Sequence, residues 1–192
     1  MKLTTSLISA VALNAAATVA RGTASGCNVE GNLFQLEASG KIIRNDTLLN
    51  QVTLTPWGEL GTDSLAVLDS YGSPTEQKTA VFYINKDNNR LIVLDPFNYM
   101  SAANAYTETP EGGELKFTFY NDTSRTFYWP SFDINEQGHL TANGKADIFT
   151  HCGSNSTDLL EGTLAIGHVA GKNCKALDYV DIYPVTSQLS VE

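Results

Sequence analysis

The chain has 192 residues, 42% of them hydrophobic, and its 21 Asp and Glu against 12 Lys and Arg leave a formal net charge of −9. That length suits one domain with a core of its own. The acids are scattered and no run of Lys or Arg could follow a phosphate backbone, which excludes nucleic acid and anionic membrane as expected partners.

Lys2 precedes an uncharged, alanine-rich stretch from Leu3 to Ala20. A charge followed by an apolar run at the N-terminus reads as a signal peptide. Thr18 and Ala20 suit cleavage before Arg21, while Gly22 and Ala24 suit cleavage before Ser25. The expected organisation is a signal peptide over 1–20, reaching as late as 24, and a single all-β domain over 25–192. A buried amphipathic helix would need a polar stripe, which this stretch lacks. A membrane span is diluted by Thr4, Thr5, Ser6, Ser9 and Asn14 in a segment barely long enough to cross. The C-terminal residues TSQLSVE carry no hydrophobic tail of the lipid-anchor kind. The expectation is a secreted chain with no membrane anchor.

The rest reads as short strands separated by turn residues. Phe34, Leu36 and Ala38 alternate within Asn32 to Ala38, and Gln51 to Thr55 and Ser64 to Leu68 follow. The clearest hairpin joins Thr79–Asn85 to Arg90–Asp95 through the polar turn Lys86-Asp87-Asn88-Asn89. Both arms are almost continuously apolar, so both faces should be covered. Leu115–Tyr120, Thr126–Ile134, Leu140–Ala142, Ala146–Thr150, Gly162–His168 and Asp178–Val185 complete the series. Turn pairs such as Gly112-Gly113, Gln137-Gly138 and Asn143-Gly144 separate several of them. Pro130 marks an edge or bulge in its segment. No segment holds a helical period over three turns. Many short strands with regular turns predict a single-domain antiparallel β-barrel or β-sandwich.

There are three cysteines, Cys27, Cys152 and Cys174. On an oxidising route unpaired thiols tend not to persist. Pairing Cys152 with Cys174 would contribute about 3 kcal/mol in the chain-entropy model. Cys27 is then left over: free, paired with another chain, or displacing one of the other two, because spacing alone does not fix connectivity. A zinc site is not expected, since no Cys-x-x-Cys occurs and His139, His151 and His168 are widely spaced. Three sequons, at Asn45, Asn121 and Asn155, fall in polar stretches and predict N-glycosylation.

Catalytic motifs are absent: no Gly-x-Ser-x-Gly, no His-Glu-x-x-His, no phosphate-cradling glycine loop and no dinucleotide fingerprint. No catalytic residue and no cofactor is therefore assigned. A two-carboxylate glycosidase needs only a suitable separation of acids. Glu108, Glu111, Glu114 and Asp133 are the candidates, and solvated loop acids are the plainer account of them. Aromatic residues are dense from Phe117 to Phe132, and exposed rings can stack on sugars. Alternate members should form core, but Tyr128 and Trp129 cannot both face inward on a regular strand. Tyr120, Tyr128 and Trp129 are thus the candidate carbohydrate-binding residues.

The run Ala80-Val81-Phe82-Tyr83-Ile84, then Leu91-Ile92-Val93-Leu94, resembles the hairpin of the PhiA-like secreted cell-wall proteins of filamentous fungi. The stretch Phe132-Asp133-Ile134-Asn135-Glu136-Gln137-Gly138-His139-Leu140, continuing through Asn143-Gly144-Lys145 to Cys152, is similar to a segment of the same family. Cys27 and Cys174 also fall where that family places cysteines. Family members carry a further cysteine ahead of the hairpin, where this chain has Tyr71 and Gly72, and another near the C-terminus. The resemblance implies a non-catalytic fungal wall or extracellular protein that, in some members, acts as an allergen or elicitor. It supplies no catalytic residues. With the resemblance added to the spacing and the oxidising route, the expected bridge is Cys152–Cys174. The expected partners are a wall polysaccharide or a host surface component, and the expected state is a monomer. The competing expectations are a secreted carbohydrate-active enzyme and a small-ligand carrier with a hollow barrel.

Overall fold

Alternation decides the first strand. Phe34, Leu36 and Ala38 are buried while Gln35 and Glu37 between them are only half-buried, the pattern of a strand with one face on a core. A computed structural model describes residues 33–39, 43–44, 47–48, 50–55, 64–69, 80–94, 102–118, 125–153, 162–170 and 173–185. In chain order its strands are β1 (Phe34–Ala38), β2 (Ile43–Arg44), β3 (Thr47–Leu48), β4 (Gln51–Thr55), β5 (Ser64–Asp69), β6 (Val81–Asn85), β7 (Arg90–Leu94) and β8 (Ala102–Tyr106). They continue as β9 (Gly113–Glu114), β10 (Lys116–Thr118), β11 (Phe132–Ile134), β12 (Leu140–Ala142), β13 (Phe149–Gly153), β14 (Thr163–Ile166), β15 (Asn173–Ala176) and β16 (Val180–Pro184). Among the described residues there is no helix.

Seven strands close on themselves in the order β10, β8, β7, β6, β1, β4, β5, and β5 returns to β10 through Lys116↔Leu65 and Phe117↔Ser64. The protein is thus an all-β barrel with additional strands. Closure removes the open edges that a flat sheet would present to other chains. From β5 the sheet extends outward at Thr163↔Val67 into β14, then β13 and β15, and β9 also pairs with β14. β16 runs antiparallel along all of β1, from Phe34↔Pro184 to Ala38↔Val180. β11 and β12 form a separate hairpin, as do β2 and β3.

The interior is packed with side chains. Phe82 stacks on Phe34 with ring centroids 6.5 Å apart and meets Phe117 at 5.9 Å. Leu36, Leu68, Leu91, Val93 and Leu115 join them, and Ala66, Ala103 and Ala105 supply the small positions between the rings. An eight-stranded barrel is just wide enough for side chains to fill, so a seven-stranded one carrying three phenylalanines holds a core. That filling weighs against the hollow carrier.

The β6–β7 hairpin forms as expected, with Asn85↔Arg90 closing it. Its turn is built by asparagines: Asn85 Oδ1 accepts from the Asp87 N–H at 2.9 Å and Asn88 Oδ1 from the Arg90 N–H at 3.1 Å. Asn89 takes the left-handed conformation at φ 55°, which Asn tolerates better than most residues. Tyr83 and Ile92 are buried on the outer side of the same strands, which explains why both arms are apolar throughout.

Several elements depart from expectation, among them β2, β3, β9 and β15, for which no strand was expected. The segment expected to run as one strand over 126–134 is broken: Tyr128 makes an isolated bridge to Thr107, and β11 begins only at Phe132. Pro130 lies in the break, lacking the N–H that a continuous ladder would need. β13 occupies Phe149–Gly153 where Ala146–Thr150 was expected. β8 was not anticipated at all, since Ala-Ala-Asn-Ala-Tyr has little β-propensity. At Gly112, φ is 120° and an added Cβ would stand 2.1 Å from the Ile166 carbonyl oxygen, so only glycine fits where this turn meets β14.

Candidate functional site

The aromatic segment lies on the outside of the barrel. Lys116 pairs with Tyr106 across β10–β8, and extending the β8–β7 register two residues brings Arg90 beside Tyr106. Paired residues share a face, and the inner face here belongs to Phe117, Ala105 and Leu91, so Lys116, Tyr106 and Arg90 point outward. Residues 125–130 are laid over this row by a pair of hydrogen bonds between Thr107 and Tyr128: the Thr107 N–H donates to the Tyr128 carbonyl at 2.9 Å and the Tyr128 N–H to the Thr107 carbonyl at 3.0 Å. Just beyond, the Phe132 N–H donates to the Asn89 carbonyl at 2.7 Å, tying the segment to the β6–β7 turn.

This register places Phe127 and Trp129 on the side of Tyr106. The Tyr106 ring meets Phe127 edge-on at 4.7 Å and Trp129 at 6.1 Å, and Phe127 stacks on Trp129 at 5.4 Å. Tyr106 is fully buried beneath them, and Phe127 and Trp129 are half-buried. Two guanidinium groups complete the cluster. Arg90 Cζ lies 4.1 Å from the Trp129 ring centroid, and Arg125 lies 5.1 Å from that of Phe127 while donating to the Tyr106 hydroxyl at 2.8 Å. Each cation on a ring is worth about 0.5–1 kcal/mol where water has access.

Of the sequence candidates, Trp129 belongs to this cluster and Tyr128 alternates to the opposite side of its segment. Both are half-buried, so neither is the openly exposed ring that the alternation rule anticipated. Tyr120, Asn45, Asn121, Asn155 and Cys27 lie outside the described residues. Phe117 and Phe132 are core, as the plainer reading held. Arg90, Arg125 and Tyr106 were missed. The signal that could have found Arg90 is its place at the first position of β7, fixed by the asparagine turn.

The acids beside the cluster are occupied. Lys116 Nζ contacts Glu108 Oε1 at 2.7 Å and Glu114 Oε2 at 4.0 Å, and Arg125 reaches Glu108 at 3.7 Å. The Glu108 side chain is 57% exposed. A glycosidase acid is usually held in an apolar pocket, and these carboxylates sit among cations at the surface. Asp133 is exposed and accepts from the Ile134 N–H at 2.8 Å, a local turn bond. Among the described residues no group of three His, Cys, Asp or Glu is placed to hold a metal ion.

Cys152 and Cys174 form a disulfide between directly opposed residues of β13 and β15, with Cα atoms 4.0 Å apart. His151, beside it, stands opposite Leu164 and Lys175. Its Nε2 is buried with no hydrogen-bond partner among the described residues, and a Cβ on Gly162 would lie 2.0 Å from it. Burial, and secondarily the Lys175 charge, hold the imidazole below its ordinary pKa, so it resists protonation. Comparison with known proteins found no family model, no curated protein and no solved structure that matches the chain.

Proposed function

We propose that this is a secreted, glycosylated, non-catalytic protein of the fungal cell wall or extracellular space that holds neutral polysaccharide weakly. The observation that carries the reading is the half-buried Phe127–Trp129 pair on the outside of a barrel with a packed interior. Rings held by stacking, with cations and a carboxylate around them, offer flat apolar surface and hydrogen-bonding groups together, the two things a sugar ring presents. The signal-peptide pattern, the sequons and the resemblance to PhiA-like wall proteins support the extracellular setting. Recognition by a host, as an elicitor or allergen, would follow from that location.

Burying one ring face against a sugar contributes only a few kcal/mol before the costs of association, so affinity for a single oligosaccharide should be near millimolar. Many sites on one polymer would still retain the protein. The test is a pull-down on insoluble chitin and β-glucan with wild type, Tyr128→Ala and Trp129→Ala, with reducing ends assayed in parallel. Wild type should be retained and Trp129→Ala retained about tenfold less, a loss of about 1.4 kcal/mol. Equal retention of the folded variants would remove this surface from the account. Release of sugar that persists through purification would make the protein an enzyme.

A further inference from the structure

Across the ring from Trp129, strand pairing gathers residues that the sequence keeps far apart. On β1 and β16, Gln35 is opposite Tyr183 and Glu37 is opposite Asp181. Glu37 is also opposite Gln51 of β4, and Asp181 bridges to His139. Opposed residues share a face, so Gln51, Glu37, Asp181 and His139 make one transverse row of planar polar groups. It lies on the outside, since Phe34, Leu36 and Ala38 take the inner positions of β1. Residues two apart on a strand also share a face, so Tyr179 and Tyr183 flank the row along the chain direction.

The row is pre-organised. The Tyr179 N–H donates to Ser39 Oγ at 2.6 Å and the Ser39 N–H to the Tyr179 carbonyl at 2.9 Å, although 140 positions separate the two residues. The His139 imidazole lies parallel to the Tyr179 ring, 3° from coplanar with centroids 4.2 Å apart, and its Nε2 faces Asp181 Oδ1 at 3.5 Å. Asn50 Nδ2 donates to Glu37 Oε1. Tyr183 is 48% exposed, and only it and Ile134 are exposed large hydrophobic residues among the described ones. The Glu37 carboxylate, which also takes a hydrogen bond from Tyr183, is the main cause that pushes the phenol above its ordinary pKa and keeps its proton in place. Like charges directly opposite on a sheet destabilise it. Glu37 facing Asp181 is therefore a local cost that folding alone would remove, and such costs concentrate at functional positions.

We propose that this face is a second polysaccharide contact, in which Tyr183 and Tyr179 stack on sugar rings of a neutral glycan and Glu37 and Asp181 accept hydrogen bonds from neighbouring hydroxyls. The proposal rests on the reading that the protein holds wall polysaccharide. An anionic polymer is excluded because Glu37 and Asp181 would repel it and the protein as a whole is acidic, whereas the hydroxyls of a neutral glycan can donate to both carboxylates. The occupant is a chain, not a single sugar, because Tyr179, just ahead of β16, and Tyr183 within it are four residues apart, about 13 Å at an extended rise. β1 lies three strands from β8 in the seven-strand ring, close to half-way round. The two contacts lie on different strands of the ring, so one molecule can bridge two polymer strands.

The experiment measures bridging. Wild type is bound to insoluble β-glucan or chitin, and capture of a labelled soluble β-glucan by the loaded polymer is read out, with Tyr183→Ala, Glu37→Gln, Asp181→Asn and Trp129→Ala in parallel. Tyr183→Ala should lower capture about tenfold while leaving retention on the insoluble polymer within about twofold, and Glu37→Gln and Asp181→Asn should lower it less. All three positions are at the surface, and circular dichroism of each variant checks that the barrel is intact. Capture by Tyr183→Ala and Glu37→Gln equal to wild type would overturn the second contact and leave the polysaccharide reading standing. Wild type that is retained on no polymer would overturn both.

Discussion

The barrel and its extension solve the same problem by different means. Inside the ring, strands are held by apolar packing: Phe34, Phe82 and Phe117 fill the centre, and every strand has a partner on the path that closes at β10–β5. In the extension, β15 is an edge strand of exposed and half-buried residues, joined to the body through β13 and one disulfide. The ring gains stability from burial that the native state alone makes possible. The extension buries Phe149, Leu164 and Ile166 as well, but its outer strand β15 buries almost nothing and is tied on by the disulfide, which restricts the unfolded chain. Damage to the core should therefore unfold everything, and damage to the bridge should loosen one side.

The largest expected effect tests the ring. Phe82→Ala removes a fully buried side chain that touches two other rings and should cost about 3–5 kcal/mol. Chemical denaturation read by both fluorescence and circular dichroism should show one transition, displaced to lower denaturant. Two separated transitions would mean that the ring and the extension unfold independently.

Removing the bridge sharpens the same contrast. Cys152→Ala with Cys174→Ala should cost about 3 kcal/mol, and non-reducing peptide mapping of the wild type should recover the Cys152–Cys174 peptide pair. Hydrogen exchange should rise at β13 and β15 and change little at β6 and β7. Equal acceleration throughout would show that the extension is part of the ring's cooperative unit.

The smallest effect is a pH dependence confined to the extension. The folded pKa of His151 lies below its unfolded value of 6.5, so folding favours the neutral ring. Its contribution to stability is present above that value and declines as pH falls through it toward the folded pKa, because the unfolded chain takes up the proton first. Thermal melts between pH 8 and about pH 5 should show wild type losing more stability on acidification than His151→Gln. Parallel curves for the two proteins would remove His151 as the cause.

What could be read in advance follows from range. The β6–β7 hairpin was legible because its strand residues and turn lie within one short stretch, and Cys152 with Cys174 because a moderate separation made them plausible partners. β8 was hidden because Ala103 and Ala105 carry no strand signal; they are small because Phe82 and Phe117 need the space beside them, a fact about neighbours. Trp129 was flagged from local density, but the arginine over its ring comes from β7, and only the register across β8 brings it there. Glu37, His139 and Asp181 belong to three distant parts of the chain and form a row only after β1, β4, β12 and β16 have assembled. No local pattern announces such a row.

The pairing of β1 with β16 also bears on biosynthesis. During synthesis β1 emerges among the earliest strands and must wait for residues 180–184 before its full-length partner exists. Until then one edge of β1, a strand with an apolar face, stands open, the kind of edge on which nascent chains aggregate. A chain that stops before β16 keeps that edge permanently, and it also lacks Tyr183 and Asp181. β16 therefore does two things at once: it covers one edge of β1 and presents part of the surface that we assign to glycan.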